Sequence, residues 1–241
     1  MDSLPLTFRQ NLTFAAHTWK ALTRQHHREF LPLFADHVPA DGTVVDVGAH
    51  AGQYAKLFAG LVPRGQVLAL EPGVYARAIL ERVVRWRRLA NVRVIPLGLS
   101  DVPGSADLSV PLKRSGSLGF GLSHLGADHS GRQVRHETIH LTTLDRLVAD
   151  TGLTRLDFLK ADIEGWEARM LAGGKSALAR FRPVIMLELV AEHLARADDT
   201  PGKVWEVLAP MGYRTLRLDG VRTTPVQGFT GDADYLFLPK A

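Results

Sequence analysis

The stretch TVVDVGAHAGQY, residues 43–54, constrains the fold more than any other part of this chain. A β-branched run at 43–47 passes through a turn with glycines at 48 and 52 into a segment, 53–61, whose apolar residues have helical spacing. Strand, tight glycine turn and helix in that order put the turn at the carboxyl edge of a parallel sheet, where open α/β sheets hold their ligands. Gly48 and Gly52 let the backbone bend sharply and come close to a bound molecule.

The remainder repeats the rhythm. A strand at 66–70 ends in Glu71-Pro72, a helix is expected over 74–89, and a strand follows at 91–97. Residues 106–110 and 137–141 alternate like strands, with a helix expected over 143–150. A buried strand at 156–161 ends at Asp162, a helix is expected over 166–178, and a strand at 184–187 ends at Glu188. A helix over 203–211 stops at Gly212, and 213–218 with 234–238 read as an antiparallel pair at the sheet edge. This pattern predicts one α/β domain over 1–241, Rossmann-like, with a mainly parallel seven-stranded sheet, helices on both faces and an antiparallel C-terminal edge. Residues 1–40 are expected to form an N-terminal helical segment. Residues 111–135, rich in Gly, Ser and His, are too polar to pack a core and are expected to be a substrate loop.

Composition removes several classes. The chain has no cysteine, which excludes disulfide scaffolds, thiolate metal sites and cysteine nucleophiles and fits a cytoplasmic location. No apolar run is long enough for a membrane span, so no membrane partner is expected. The net charge of +4 invites a nucleic-acid reading, but the basic residues are dispersed. The densest run, Arg82 to Arg88, interleaves Val83, Val84 and Trp86 and reads as a helix with one solvated face, so no nucleic-acid partner is expected. Phe8, Phe14 and Trp19 look exposed, and a homo-oligomer remains open.

The glycine turn departs from the dinucleotide pattern G-x-G-x-x-G, because His50 takes the middle glycine's place and Asp46 precedes the turn. A carboxylate repels pyrophosphate but attracts the cationic amino group of a methionine moiety, so the electrostatics favour S-adenosylmethionine over NAD. Glu71, at the next strand end, can accept hydrogen bonds from both ribose hydroxyls of either cofactor.

VDVGAHAGQY, LEPG at 70–73, TTLDRL at 142–147 and LKADIEGWE at 159–167 occur in an order that resembles the FkbM family of methyltransferases. That family shows D-V-G-A-N-x-G-x-Y, F-E-P, L-D and K-x-D-x-E-G-x-E; here His50 stands for the asparagine and Ala161 for a bulkier aliphatic residue. The likeness covers about residues 43 to 190. It implies S-adenosylmethionine as cofactor, with Asp46, Gly48, His50, Gly52, Tyr54, Glu71, Pro72, Ser100 and Asp162 as its contacts. It also implies O-methylation of a small hydroxylated acceptor, a sugar or secondary metabolite.

An alcohol needs help to lose its proton. Asp162, Lys160, His140 and Glu188 are the candidate catalytic residues, and Asp162, Glu188 and Glu164 a candidate Mg²⁺ site that His193 could complete. His124, His129 and His136 are further histidines in or beside the loop. The alternatives are an NAD(P)-dependent oxidoreductase, for which no Tyr-x-x-x-Lys pair is present, and a non-catalytic binding protein of the same fold.

Overall fold

The structure, a computed structural model, describes residues 7–111, 124–125 and 134–240. Helix α1 (Phe8–Thr23) opens with a reciprocal cap, in which the Thr7 hydroxyl accepts from the Gln10 N–H and the Gln10 side chain accepts from the Thr7 N–H. A 3-10 turn (Arg28–Phe30) leads into short helix α2 (Leu31–Ala35). Two strand–helix units follow: β1 (Thr43–Val47), α3 (Gln53–Leu61), β2 (Gln66–Leu70) and α4 (Val74–Trp86). Then come β3 (Val92–Ile95), β4 (Gly98–Leu99), β5 (Gly104–Pro111), β6 (His124–Leu125) and β7 (Val134–Thr142). The chain continues through α5 (Leu144–Thr151), β8 (Phe158–Ala161), α6 (Glu167–Ala172), α7 (Lys175–Phe181) and β9 (Val184–Leu189). It closes with α8 (Ala191–Arg196), α9 (Pro201–Leu208), β10 (Tyr213–Asp219), β11 (Arg222–Val226) and β12 (Ala233–Pro239).

The main sheet has the order β11-β10-β12-β9-β8-β1-β2-β3. Its run from β9 to β3 is parallel, and β12, β10 and β11 add on antiparallel. Among the described residues the sheet has eight strands, against the seven expected. The extra one, β11, is exposed along most of its length and carries Pro225, so it lacks an alternating apolar signature.

Strand alternation sends successive residues to opposite faces. Val45, Leu68, Leu159 and Ile185 pack under α5, α6, α7 and α9, while Val44, Val67, Phe158 and Met186 pack with Phe34 and Phe58 of α2 and α3. On the second face the strands change character toward their carboxyl ends. Asp46 pairs in register with Ala69 and Lys160, and Lys160 with Met186. Two residues on, on the same face, Glu71, Gly48, Asp162, Glu188 and Asp234 form a row across β2, β1, β8, β9 and β12, with Glu188 opposite Asp234.

A second sheet, β4-β7-β5-β6, stands beside this edge. It corrects the expected loop at 111–135: residues 134–135 continue β7, and 124–125 pair with Leu108 and Ser109. The rest of that segment, including His129, lies outside the described residues. The helix expected over 166–178 is broken at Gly173-Gly174, where the backbone passes so close to the Ser100 carbonyl oxygen that a Cβ on Gly173 would collide with it. Phe14, expected to be exposed, sets its ring edge-on to Tyr75 at 5.1 Å, while Phe8 and Trp19 are exposed. Among the described residues no helix is long and apolar enough to cross a membrane.

The Gly173 contact is backbone against backbone and cannot relax by a side-chain rotation. Gly173→Ala is expected to cost about 1–3 kcal/mol and to lower Tm by roughly 2–4 °C per kcal/mol. Gly104→Ala, which meets nothing within 4 Å, should stay within about 0.5 kcal/mol of wild type. Thermal unfolding of the two variants checks this; equal midpoints would show that α6 and α7 tolerate a shift.

Candidate functional site

The turn after β1 is built by backbone conformation. Gly48 (φ 75°), His50 (φ 48°) and Gly52 (φ 82°) are all left-handed. Any side chain at Gly48 would collide with the Asp162 carbonyl, and one at Gly52 would press on Leu80. The turn is pulled toward β2 by the Glu71 carboxylate, which accepts from the His50 N–H at 2.8 Å and the Gly73 N–H at 2.9 Å. Burial pushes Glu71 up to about 7 even with these donors and the nearby Arg77.

Around this turn lies a cavity of about 300 Å³. Its floor carries Gly48, His50, Tyr54, Glu71 and Asp162. The second sheet supplies an opposite, largely apolar wall through Leu108, Val110, Ile139 and Leu141. Glu137 of β7 also lines it and accepts from the Val74 N–H at 3.0 Å, tying the small sheet to the start of α4. Glu71 and Asp162 stand at the ends of β2 and β8, on either side of β1.

Beneath the floor Lys160 is buried, with its ammonium 3.7 Å from Asp46 and 3.6 Å from Asp162. Burial opposes its charge, but Asp162, Asp46, Glu188 and Asp234 together raise its pKa. Its Nζ also lies 4.8 Å from the centre of the Tyr54 ring. Asp46 is fully buried and neither carboxylate oxygen accepts a hydrogen bond, so burial lifts it to about 6 against the pull of Lys160. Burial alone would raise Asp162, yet Lys160 and a hydrogen bond with Glu188 hold it below the usual carboxylate range. Burial and Asp162 push Glu188 up to about 8, so this neighbour carries the shared proton. Burial raises Asp234 to about 6.

Of the residues picked from the sequence, Gly48, His50, Tyr54, Glu71, Pro72, Lys160, Asp162 and Glu164 line the cavity. Asp46 does not, because it is spent on Lys160 beneath the floor; Asp162 is the carboxylate that reaches the cavity there. Ser100 is also absent from the lining, being buried with its hydroxyl donated to Asp101. His140 is exposed and projects from the opposite face of β7 to Glu137, Ile139 and Leu141, as strand alternation requires.

The three expected Mg²⁺ ligands do not assemble into one set. Glu164, left-handed at φ 56°, pairs with His193 at 3.0 Å and Arg196 at 3.7 Å. Asp162 and Glu188 share a hydrogen bond next to the Lys160 ammonium. Among the described residues no group of three or more His, Asp or Glu could hold a metal ion.

Two lining residues, His27 and Tyr75, had no sequence signal of their own. His27 sits far upstream and reaches the cavity through a stack on Tyr54 at 4.5 Å. Tyr75, whose hydroxyl meets His17 Nδ1 at 3.1 Å, reads in sequence as an ordinary helix residue.

Comparison with known proteins shows the family. A family profile described as the methyltransferase FkbM domain matches residues 46–215. The chain is 26% identical over 164 residues to 2-O-methyltransferase NoeI of Sinorhizobium fredii, covering 65% of each protein. It is 28% identical over 179 residues to the AMB antimetabolite synthetase AmbE of Pseudomonas aeruginosa, covering 62% of this chain and 8% of that protein. Its fold is similar to that of the FkbM methyltransferase from Methylobacillus flagellatus, with a TM-score of 0.53 at 16% identity, covering 94% of this chain and 58% of that one. The chain thus spans less than two thirds of the length of each of these three proteins. The profile takes in the glycine turn, Glu71, the β8 end and most of the sheet, and the chain belongs to the FkbM methyltransferase domain family.

Proposed function

We propose that this domain transfers the methyl group of S-adenosylmethionine to a hydroxyl oxygen of a small polar acceptor, a sugar or a secondary metabolite. The observation that carries the reading is the cavity that spans Glu71 and Asp162 across the glycine turn at the carboxyl edge of the parallel sheet. Its chemistry suits this cofactor. Glu71 takes only one backbone donor on each carboxylate oxygen, which leaves lone pairs for the two ribose hydroxyls. Asp162, kept ionised by Lys160, suits the cationic amino group of the methionine half. Gly48 and Gly52 keep the turn close and free of side chains, and the apolar wall of the second sheet suits an adenine ring.

The cofactor, when bound, supplies an electrophilic methyl carbon on a sulfonium. The protein's task is then to hold the acceptor oxygen in line with that carbon, which contributes roughly 7–11 kcal/mol in favourable cases. The O-methyl reading draws support from NoeI, whose name describes 2-O-methylation. Mg²⁺ assistance finds no assembled ligand set among the described residues, and Lys160 already supplies a cation at Asp162.

Isothermal titration with S-adenosylhomocysteine and, separately, NADH tests the cofactor. Binding of the first alone is expected; binding of NADH alone would overturn the reading. Ribose hydroxyls donate to an ionised Glu71, so binding must expel the proton that Glu71 holds below its raised pKa of about 7. S-adenosylhomocysteine affinity should therefore rise between about pH 6 and about pH 8 and then level off. Glu71→Gln should weaken binding by about 10- to 100-fold and flatten that pH dependence. Unchanged affinity would place the nucleoside elsewhere. Methyl transfer is expected to continue in excess chelator, and its loss would require a metal site beyond the residues described.

A further inference from the structure

A hydroxyl must lose its proton as its oxygen is methylated, and the charged groups at the carboxyl edge are poorly placed to take it. Asp162 is held low by Lys160, Glu188 already carries a proton, Lys160 is charged, and burial pushes the Tyr54 phenol up. Glu71 accepts from the His50 and Gly73 N–H groups, Glu137 from the Val74 N–H, and Glu164 pairs with His193 and Arg196, which leaves two imidazoles on the cavity surface, His50 and His27. His50 belongs to the glycine turn that the cofactor would cover. His27 comes from the N-terminal segment, outside the residues that match the family profile.

That segment is fastened to α3. The Gln25 side chain donates to the Gln53 carbonyl at 3.0 Å, and the Gln53 side chain accepts from the His26 N–H at 3.2 Å. The Lys56 ammonium donates to the carbonyls of Ala21 and Arg24 at 2.6 and 2.7 Å. Between these fastenings and the 3-10 turn, His27 adopts a left-handed backbone (φ 63°) that turns its ring onto Tyr54, 4.5 Å away and 15° from parallel. Tyr54 lies over Lys160, so the imidazole stands at the Asp162 end of the cavity, away from Glu71. Its ring nitrogens make no hydrogen bond to another described residue, and the ring is only partly buried.

We propose that His27 is the general base of this domain, taking the proton of the acceptor hydroxyl. The proposal rests on the methyltransferase reading above. In the step it describes, the acceptor oxygen forms a bond to the methyl carbon as the carbon–sulfur bond breaks. The electron pair of that bond stays on sulfur, which becomes a neutral thioether, and the hydroxyl proton passes to a ring nitrogen of His27 and on to solvent. The groups facing His27 are Glu29, Lys160, His26, Asp162 and Tyr54. Burial lowers the imidazole below its ordinary 6.5, with Lys160 and His26 acting in the same direction against Glu29 and Asp162. The ring is therefore neutral, and able to accept a proton, at neutral pH.

The test uses His27→Asn, because asparagine tolerates the left-handed backbone but cannot take the proton. Wild type and variant are assayed with methyl-labelled S-adenosylmethionine and a panel of methyl glycosides, alongside titration with S-adenosylhomocysteine. The variant is expected to lose about 10²- to 10⁴-fold in kcat, with S-adenosylhomocysteine affinity within about threefold of wild type. The acid limb of the wild-type pH profile should be absent from the variant, and the gap should narrow at high pH, where hydroxide can remove the proton. Nitrogen-15 NMR of the S-adenosylhomocysteine complex should show the His27 ring neutral at pH 7; a ring still protonated there overturns the proposal. A variant that keeps labelling within about fivefold of wild type overturns the base assignment alone. Loss in His50→Asn with His27→Asn active moves the base to His50 and overturns it likewise. A wild type that binds S-adenosylhomocysteine but labels no glycoside overturns the sugar reading, and the role of His27 at a sugar hydroxyl falls with it.

Discussion

The buried ammonium of Lys160 is the charge on which the rest of the site depends. An ion taken this far out of water is tolerated only when it is paired, and removing one partner of such a pair costs about 3–5 kcal/mol. Lys160 meets that requirement with carboxylates above and below it, Asp162 at 3.6 Å and Asp46 at 3.7 Å. Its charge keeps Asp162 ionised at the cavity floor, and that in turn leaves the proton on Glu188. Tyr54 covers the ammonium and His27 covers Tyr54, so a column of carboxylate, ammonium, phenol and imidazole runs from the core to the cavity.

This column is possible because one face of the sheet changes character along its strands. Near their amino ends Val44 and Phe158 are plain core, packed beneath Phe34 and Phe58. Toward their carboxyl ends the same face bears Asp46 and Lys160, then the row from Glu71 to Asp234. The parallel arrangement brings all these ends to one edge, and Gly48 leaves the middle of the row without a side chain. The second sheet then closes the space from the other side, so the cavity is a junction of two sheets rather than a cleft in one.

Residues whose placement depends on a single strand end were legible from the chain alone. Glu71 and Asp162 follow apolar runs directly, and strand alternation puts Lys160 on the same face as Asp162. Residues whose surroundings depend on what packs against them were not. Asp46 looked like a ligand contact because it precedes the turn, but burial joins it to Lys160 instead. Glu164 looked like a metal ligand, but α8 brings His193 and Arg196 to it. His140 fell on the wrong face of its strand, and the hydroxyl of Ser100 is held by Asp101.

The sequence by itself determined the α/β class, the order of the parallel units, the antiparallel pairing of β10 with β12 and the glycine turn. Each of these follows from local periodicity and from backbone conformations that glycine admits easily. Only the tertiary structure decided that β11 adds an eighth strand, that β4 to β7 form a separate wall, and which carboxylates pair with Lys160. It also decided that His27, which nothing in its neighbourhood of the chain singles out, stands at the cavity. Such contacts join residues distant in sequence, and their energies come from desolvation and pairing, quantities that no local pattern of residues encodes.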